Sequence, residues 1–289
     1  MQVQPDKFQL LDGVISDYLS KVNTLTDRWL LEQTLYTGPV RRTIFQYFPF
    51  SPHTRVLDAG TGFGALALEI AGQMPTTVFG VDFDESKLDV AAYLKSELEQ
   101  REYFYPGSDV QFHKQDLYSL TFDAEQFDFV ISRFVYQHLD HPDVVTQQLH
   151  RVMRPGGIVC LIDIDDQFSI SYPDSSGALK KLEQAFAELQ LKRGGDRYVG
   201  RKLSTFLHQA GFEVQATAIQ PQAAHSVVQS TDAGHQFLLN RLNGVKDELI
   251  ANNILSLMEF DQYVGELGSQ QDSVQFNANA QVVVMAKKR

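Results

Sequence analysis

In the run Val56-Leu57-Asp58-Ala59-Gly60-Thr61-Gly62-Phe63-Gly64, a carboxylate ends an apolar stretch just before a loop with three alternating glycines. A helical pattern, Ala65, Leu66, Ala67, Leu68, Ile70 and Ala71, follows at once. Strand, glycine loop and helix in this order bring bare backbone against a nucleotide-like ligand in α/β proteins. Glycine suits the loop because a Cβ would block close approach and because some positions adopt positive φ. Gly60, Gly62 and Ala65 also fit a loose dinucleotide fingerprint, with the acid Asp82 about 20 residues on. Asp58 argues against a dinucleotide. A carboxylate two residues ahead of the first glycine repels a pyrophosphate and attracts an ammonium group.

Further polar groups stand at the ends of apolar runs. Asp82 closes residues 77–82, Gln115 and Asp116 follow residues 109–114, and Ser132 and Arg133 end residues 127–133. Tyr136 and His138 come directly after and are the candidates for acid–base work. Asp84, ahead of Glu85 and Ser86, reads as a helix cap. Asp165 and Asp166 form an adjacent acidic pair, which is a poor basis for a metal site.

The elements that must hold these groups alternate. Apolar runs at 55–59, 77–82, 109–114, 127–132 and 158–164 read as strands. Residues 65–71, 85–101 and 142–153 between them read as helices. That alternation predicts a parallel sheet covered on both faces, with ligands bound at the carboxyl ends of its strands. Residues 1–50 carry helical spacing in Phe8, Leu11, Ile15, Leu19 and again in Trp29, Leu30 and Leu35, before Gly38-Pro39 breaks it. They form an N-terminal helical cap ahead of a core at 51–220. Within that core 179–191 and 202–209 read as helices and 212–219 as a strand. Residues 221–278 read as a helical insertion, with helices at 237–242 and 245–267, that serves as a lid. Residues 279–289 hold the last strand and a tail.

The chain has 289 residues and a formal net charge of −11. That charge opposes a general grip on nucleic acid, which needs a basic surface to displace counterions. The cluster Lys287-Lys288-Arg289 reads as a solvated tail. A single cysteine, Cys160, excludes an internal disulfide and lies in an apolar run, where a buried thiol is expected. No apolar run approaches the roughly 18 residues of a membrane span. No basic-then-apolar leader is visible at the start, so the expected location is the cytoplasm with no membrane partner. Composition carries no sign of an oligomeric state.

Taken in order and spacing, several segments resemble the class I S-adenosylmethionine-dependent methyltransferases. They are residues 56–64, Gly80-Val81-Asp82-Phe83-Asp84, His113-Lys114-Gln115-Asp116-Leu117, residues 127–139, and the phrase Leu149-His150-Arg151-Val152-Met153-Arg154-Pro155-Gly156-Gly157. The likeness covers roughly residues 54–220 and the last strand. It implies a Rossmann-like α/β fold with a seven-stranded, mostly parallel sheet, its last strand antiparallel beside the fifth. It also implies roles. Asp58, Gly60, Thr61 and Gly62 would hold the methionine end of the cofactor. Asp82 would take the ribose hydroxyls and Phe83 one adenine face. Gln115, Asp116 and Leu117 would border the adenine edge, with Asp116 accepting from its amino group. Backbone at Ser132 or Arg133 would close the methionine side.

Methyl transfer from a sulfonium is an in-line displacement of an already activated group, so positioning can supply much of the catalysis. The Asn/Asp-Pro-Pro-aromatic signature of amide and adenine amino methylation is absent, since Ser132-Arg133-Phe134-Val135 stands there. No Pro-Cys pair for cytosine chemistry exists. The expected partner is a small-molecule acceptor, methylated on O, N or C. Tyr18, Trp29, Tyr36, Phe260 and Tyr263 are candidates to line its pocket. A nicotinamide-dependent oxidoreductase and a non-catalytic protein that binds S-adenosylmethionine are the alternatives.

Overall fold

The computed structural model describes residues 6–22, 28–48, 51–174, 177–227, 233–268 and 274–289. Three helices open the chain: α1 (Lys7–Lys21), α2 (Arg28–Tyr36) and α3 (Gly38–Thr43). The alternating region follows as β1 (Arg55–Ala59), α4 (Ala65–Gln73), β2 (Thr77–Asp82), α5 (Glu85–Glu99), β3 (Asp109–Lys114), β4 (Phe127–Arg133), α6 (Pro142–Val152) and β5 (Met153–Ile164). Then come β6 (Ile170–Tyr172), α7 (Ala178–Lys192), α8 (Leu203–Gln209), β7 (Phe212–Val227), α9 (Ala233–Ala251), α10 (Leu257–Gly268) and β8 (Val274–Lys288).

The sheet runs β3-β2-β1-β4-β5-β8-β6, with β7 also paired to β8. The first five strands in that order are parallel. β8 is antiparallel to β5, β6 and β7. The central strands are buried on both faces, which is why Val56, Leu57, Val78, Val81, Val130 and Ile131 read as continuous apolar runs. One apolar layer joins the sheet to α1, α4 and α5 through residues such as Leu11, Ile15, Leu68 and Leu94. The other joins it to α6 and α8 through Leu149, Leu203 and Phe212. Strand order reverses between β1 and β4, and the crevice outside their carboxyl ends is where such sheets take ligands.

The N-terminal cap is tied to this core by buried charge. Glu69 of α4, fully buried, accepts two bonds from Arg41 at 2.6 and 2.7 Å and one from Arg42 at 2.8 Å. Arg42 reaches on to Asp12 of α1.

The region read as a helical insertion differs from expectation at both ends. β7 continues from 219 to Val227, and β8 starts at Val274, so the two strands form a ribbon out to the Val227–Val274 pair. The outer half of β7 is polar and small-residue, with Pro221 paired to Ala280, so it lacks the apolar run that marks a buried strand. β8 does carry a period-two signal in Val274, Phe276, Ala278 and Ala280. Between the strands stand α9 and α10, separated at Asn252-Asn253, where Asn253 takes φ 54°. They pack on α7 in a third apolar cluster of Leu182, Phe186, Leu189, Leu242, Leu249 and Phe260. The basic C-terminus also departs from a solvated tail: Lys288 is buried in β8 and donates to the Met153 carbonyl at 2.8 Å.

Candidate functional site

β1 delivers Asp58 to the crevice with 2 % of its surface exposed. Its carboxylate accepts from the Thr61 hydroxyl at 2.6 Å. Burial, the dominant cause, pushes its pKa up to about 6; the Thr61 bond works against that shift and the nearby Asp82 charge adds to it. The chain then turns sharply. Gly60 has φ 80° and a Cβ there would lie 2.3 Å from Val135 Cγ2. Gly62 has φ 53° and a Cβ there would meet nothing within 4 Å, so its bare face looks into open space. The amides of Gly60 and Thr61 both donate to the Val81 carbonyl at 2.9 Å. Asp82 at the end of β2 clamps the same loop, accepting from Gly62 N–H at 2.9 Å and from Asp84 N–H at 3.1 Å. Asp84 caps α5 through Ser86.

These groups line one cavity of about 640 Å³. Its floor is made by Asp58, Gly60, Thr61, Gly62, Asp82 and Phe83, and its side by Gln115, Asp116, Leu117, Arg133 and His138. Phe83 is 73 % exposed, a free aromatic face at the rim. Asp116 spends one oxygen on the Tyr118 amide at 2.9 Å, capping a single helical turn, and Gln115 holds the Thr121 amide. Arg133 is the unusual member. Its Nε and Nη2 are sealed from solvent with no hydrogen-bond partner, and its guanidinium lies 3.9 Å over the Phe134 ring. Desolvation lowers its pKa to about 9, with Arg41 acting in the same direction. Phe134, at φ 60°, bends the chain out of β4 in a conformation that non-glycine residues rarely take.

Two expected site residues are not brought to the cavity. Tyr136 is 1 % exposed, stacks on Phe206 and shares a 2.9 Å hydrogen bond with Thr146, so its hydroxyl sits in the core. Ser132 is 1 % exposed and donates its hydroxyl to the Ala59 carbonyl at 2.8 Å, stitching β4 to β1. Asp165 and Asp166 are absorbed by Arg201 and Arg197. Among the described residues no cluster of metal-ligating side chains occurs.

The cavity roof is α2, which contributes Trp29, Leu30, Gln33 and Thr34. Of the five aromatics expected there, Trp29 alone lines it. Tyr18 packs on Tyr93, and Phe260 and Tyr263 belong to the α7–α9–α10 cluster. Among the described residues, none of the segment 221–278 lines the cavity. α9 instead backs the roof, with Asn240 reaching Glu32 of α2 at 3.4 Å, and Glu248 holds the lining residue Arg193. Sequence reasoning missed Arg41, Lys87, Tyr118, Asp140 and Arg193 as lining groups. They come from five separate segments, and no local spacing connects them.

Residues 57–161 match the family model described as a methyltransferase domain. Phosphoethanolamine N-methyltransferase 2 of Caenorhabditis elegans is 25 % identical over 160 residues, 53 % of this chain and 35 % of that protein. Ubiquinone biosynthesis O-methyltransferase of Coxiella burnetii is 31 % identical over 161 residues, 54 % of this chain and 65 % of that protein. The matches thus span between about a third and two thirds of these relatives' own length. Among solved structures the [4+2]-cyclase SpnF superposes with a TM-score of 0.56 at 15 % identity, covering 98 % of this chain and 97 % of that one. Residues 57–161 thus match a methyltransferase domain, and these curated relatives that share the stretch are methyltransferases.

Proposed function

We propose that this chain is a class I S-adenosylmethionine-dependent methyltransferase that transfers a methyl group to a small-molecule acceptor held between the strand ends and α2. A fold likeness that includes a cyclase does not decide a reaction, so the reading rests on the site. The observation that carries it is a pair of buried, opposite charges in one cavity. Asp58 is a desolvated carboxylate with a single side-chain partner, and Arg133 is a guanidinium with two orphaned donors. Buried charge without a partner is costly. An amino-acid zwitterion, ammonium toward Asp58 and carboxylate toward Arg133, relieves both.

The rest of the cavity fits the same ligand. Gly62 lines the cavity with a bare face, with nothing within 4 Å of where a Cβ would stand. Asp82 keeps lone pairs beyond its two backbone bonds to accept from two ribose hydroxyls. Phe83 offers a ring to the adenine, and the second oxygen of Asp116 can accept from an exocyclic amine. When bound, the cofactor supplies a methyl group already activated on a sulfonium. What the chain adds is orientation and exclusion of water by Trp29 and Leu30. A net charge of −11 favours a small acceptor over a polyanion.

Calorimetric titration with S-adenosylhomocysteine, with NAD as control, tests the cofactor half of this proposal. Transfer of a labelled methyl to a panel of small acceptors tests the other half. Binding of NAD alone, or of neither ligand, would sink the reading.

A further inference from the structure

Gln137, His138 and Gln190 form a relay whose proton positions follow from hydrogen-bond chemistry. The Gln137 backbone carbonyl accepts from Asp196 N–H at 2.9 Å and from Gln190 Nε2 at 3.0 Å. A carbonyl can only accept. The Gln190 atom against it is therefore the amide nitrogen, because the flipped amide would set oxygen against oxygen. The same Nε2 lies 2.7 Å from His138 Nδ1. Its two hydrogens are thus committed, one to the carbonyl and one to the ring. Nδ1 must be bare, and in a neutral imidazole the proton then sits on Nε2.

The relay is built into the fold rather than left to a mobile side chain. Gln190, on the last turn of α7, is 3 % exposed. A Cβ at Gly195 would lie 2.2 Å from the Gln137 carbonyl oxygen and 2.7 Å from Gln190 Nε2, so glycine there is what lets the three groups meet. Arg197 holds the Gln137 side chain at 2.7 Å. The surroundings also oppose a positive ring. After desolvation, Arg197, Lys87, Arg193 and Arg241 each press the His138 pKa down, to about 4. Three of these cations are themselves paired, Arg197 with Asp166, Lys87 with Asp84 and Arg193 with Glu248, which spares the ring part of their charge.

We infer that Gln190 is a positioning residue that locks His138 as its Nε2–H tautomer, making His138 a hydrogen-bond donor to the methyl acceptor and not its base. The acceptor class follows: a molecule that presents a lone-pair oxygen to this donor, as a phenolate, enolate, carboxylate or carbonyl does, and whose nucleophile needs no deprotonation by this ring. The ligand's identity rests on the methyl-transfer reading; the position of the proton does not.

Nitrogen NMR of the full chain carrying ring-labelled histidine tests this without substrate or cofactor, and His138→Gln assigns the resonance among the eight histidines. The expected spectrum of the neutral ring has a bare-type signal at Nδ1 and an N–H-type signal at Nε2. A proton on Nδ1 of the neutral ring, or averaged signals from both tautomers, would overturn the inference. Gln190→Leu should release the ring to averaged tautomers, and Gln190→Glu should draw the proton to Nδ1 and raise the ring's pKa. If the Glu variant does not fold, the Leu variant decides. A wild-type spectrum in a folded Leu variant would remove Gln190 as the lock. Failure of the cofactor titration, with this spectrum intact, would fault the methyl-transfer reading alone.

Discussion

At the scale of single residues, Asp58 works against the fold that holds it. Its folded pKa, about 6, lies above the ordinary 3.8, so the native state binds this proton more tightly than the unfolded chain does. Stability therefore falls as pH rises from about 4 to 6, and the cost is fully present above that window. Asp58→Asn should raise Tm at neutral pH, by an effect of up to about 2–3 kcal/mol, while weakening S-adenosylhomocysteine binding. Thermal melts and calorimetry of one variant should thus move in opposite directions. Wild-type affinity should fall below about pH 6 as the carboxylate takes up its proton. Arg133→Met should cost about 1.5–3 kcal/mol of S-adenosylhomocysteine affinity and leave 5′-methylthioadenosine, which lacks the amino-acid end, unaffected. Equal loss for both ligands would show a collapsed cavity instead of a lost carboxylate contact. Asp58, Asp82 and Asp116 were legible in the sequence because each ends a local pattern. Gln190 was not, since it meets His138 across 52 positions of chain. Nor was the orphaned state of Arg133, which depends on what fails to pack near it.

At the scale of elements, the glycine loop separates demands of fold and of ligand. Gly60→Ala meets both a left-handed φ and Val135 Cγ2 at 2.3 Å. It should cost about 1–2 kcal/mol for the backbone and about 1–3 more for the overlap, visible as a lowered denaturation midpoint. Gly62→Ala meets the φ penalty alone, of about 1–2 kcal/mol. It should stay folded yet weaken S-adenosylhomocysteine binding, because it adds a methyl to the lining of the cavity. Unchanged affinity in that variant would move the ligand off the loop. The strands of the parallel region were readable because burial on both faces leaves unbroken apolar runs. The outer ribbon of β7 was not, because a strand exposed outside the core needs no apolar code and Gln220, Pro221 and Gln222 resemble a loop. Helical periodicity revealed α9 and α10, but a period does not say which neighbour an apolar face will meet.

At the scale of the whole molecule, the roof over the cavity is held from two sides. Below, α3 is anchored to α4 through Glu69. Replacing that carboxylate by Gln leaves Arg41 and Arg42 without their buried partner, and should destabilise the chain by about 3–5 kcal/mol in chemical denaturation. Above, α2 meets α9, which rests on α7 and α10. Phe260→Ala, at 1 % exposure, should cost about 3–5 kcal/mol in that cluster. Hydrogen exchange should rise in α7, α9 and α10 before it rises in the parallel strands; a uniform rise would mean the clusters melt as one. The ribbon that carries α9 and α10 has a further consequence, for inheritance. Because Val227 and Val274 are partners in register, the two ends of the intervening segment stand one strand spacing apart, about 5 Å. A graft at that joint disturbs no strand of the crevice. Exchange between relatives could then alter which molecules are admitted under α2 while the cofactor crevice descends unchanged, provided each new segment brings an apolar face to cover Leu182, Phe186 and Leu189.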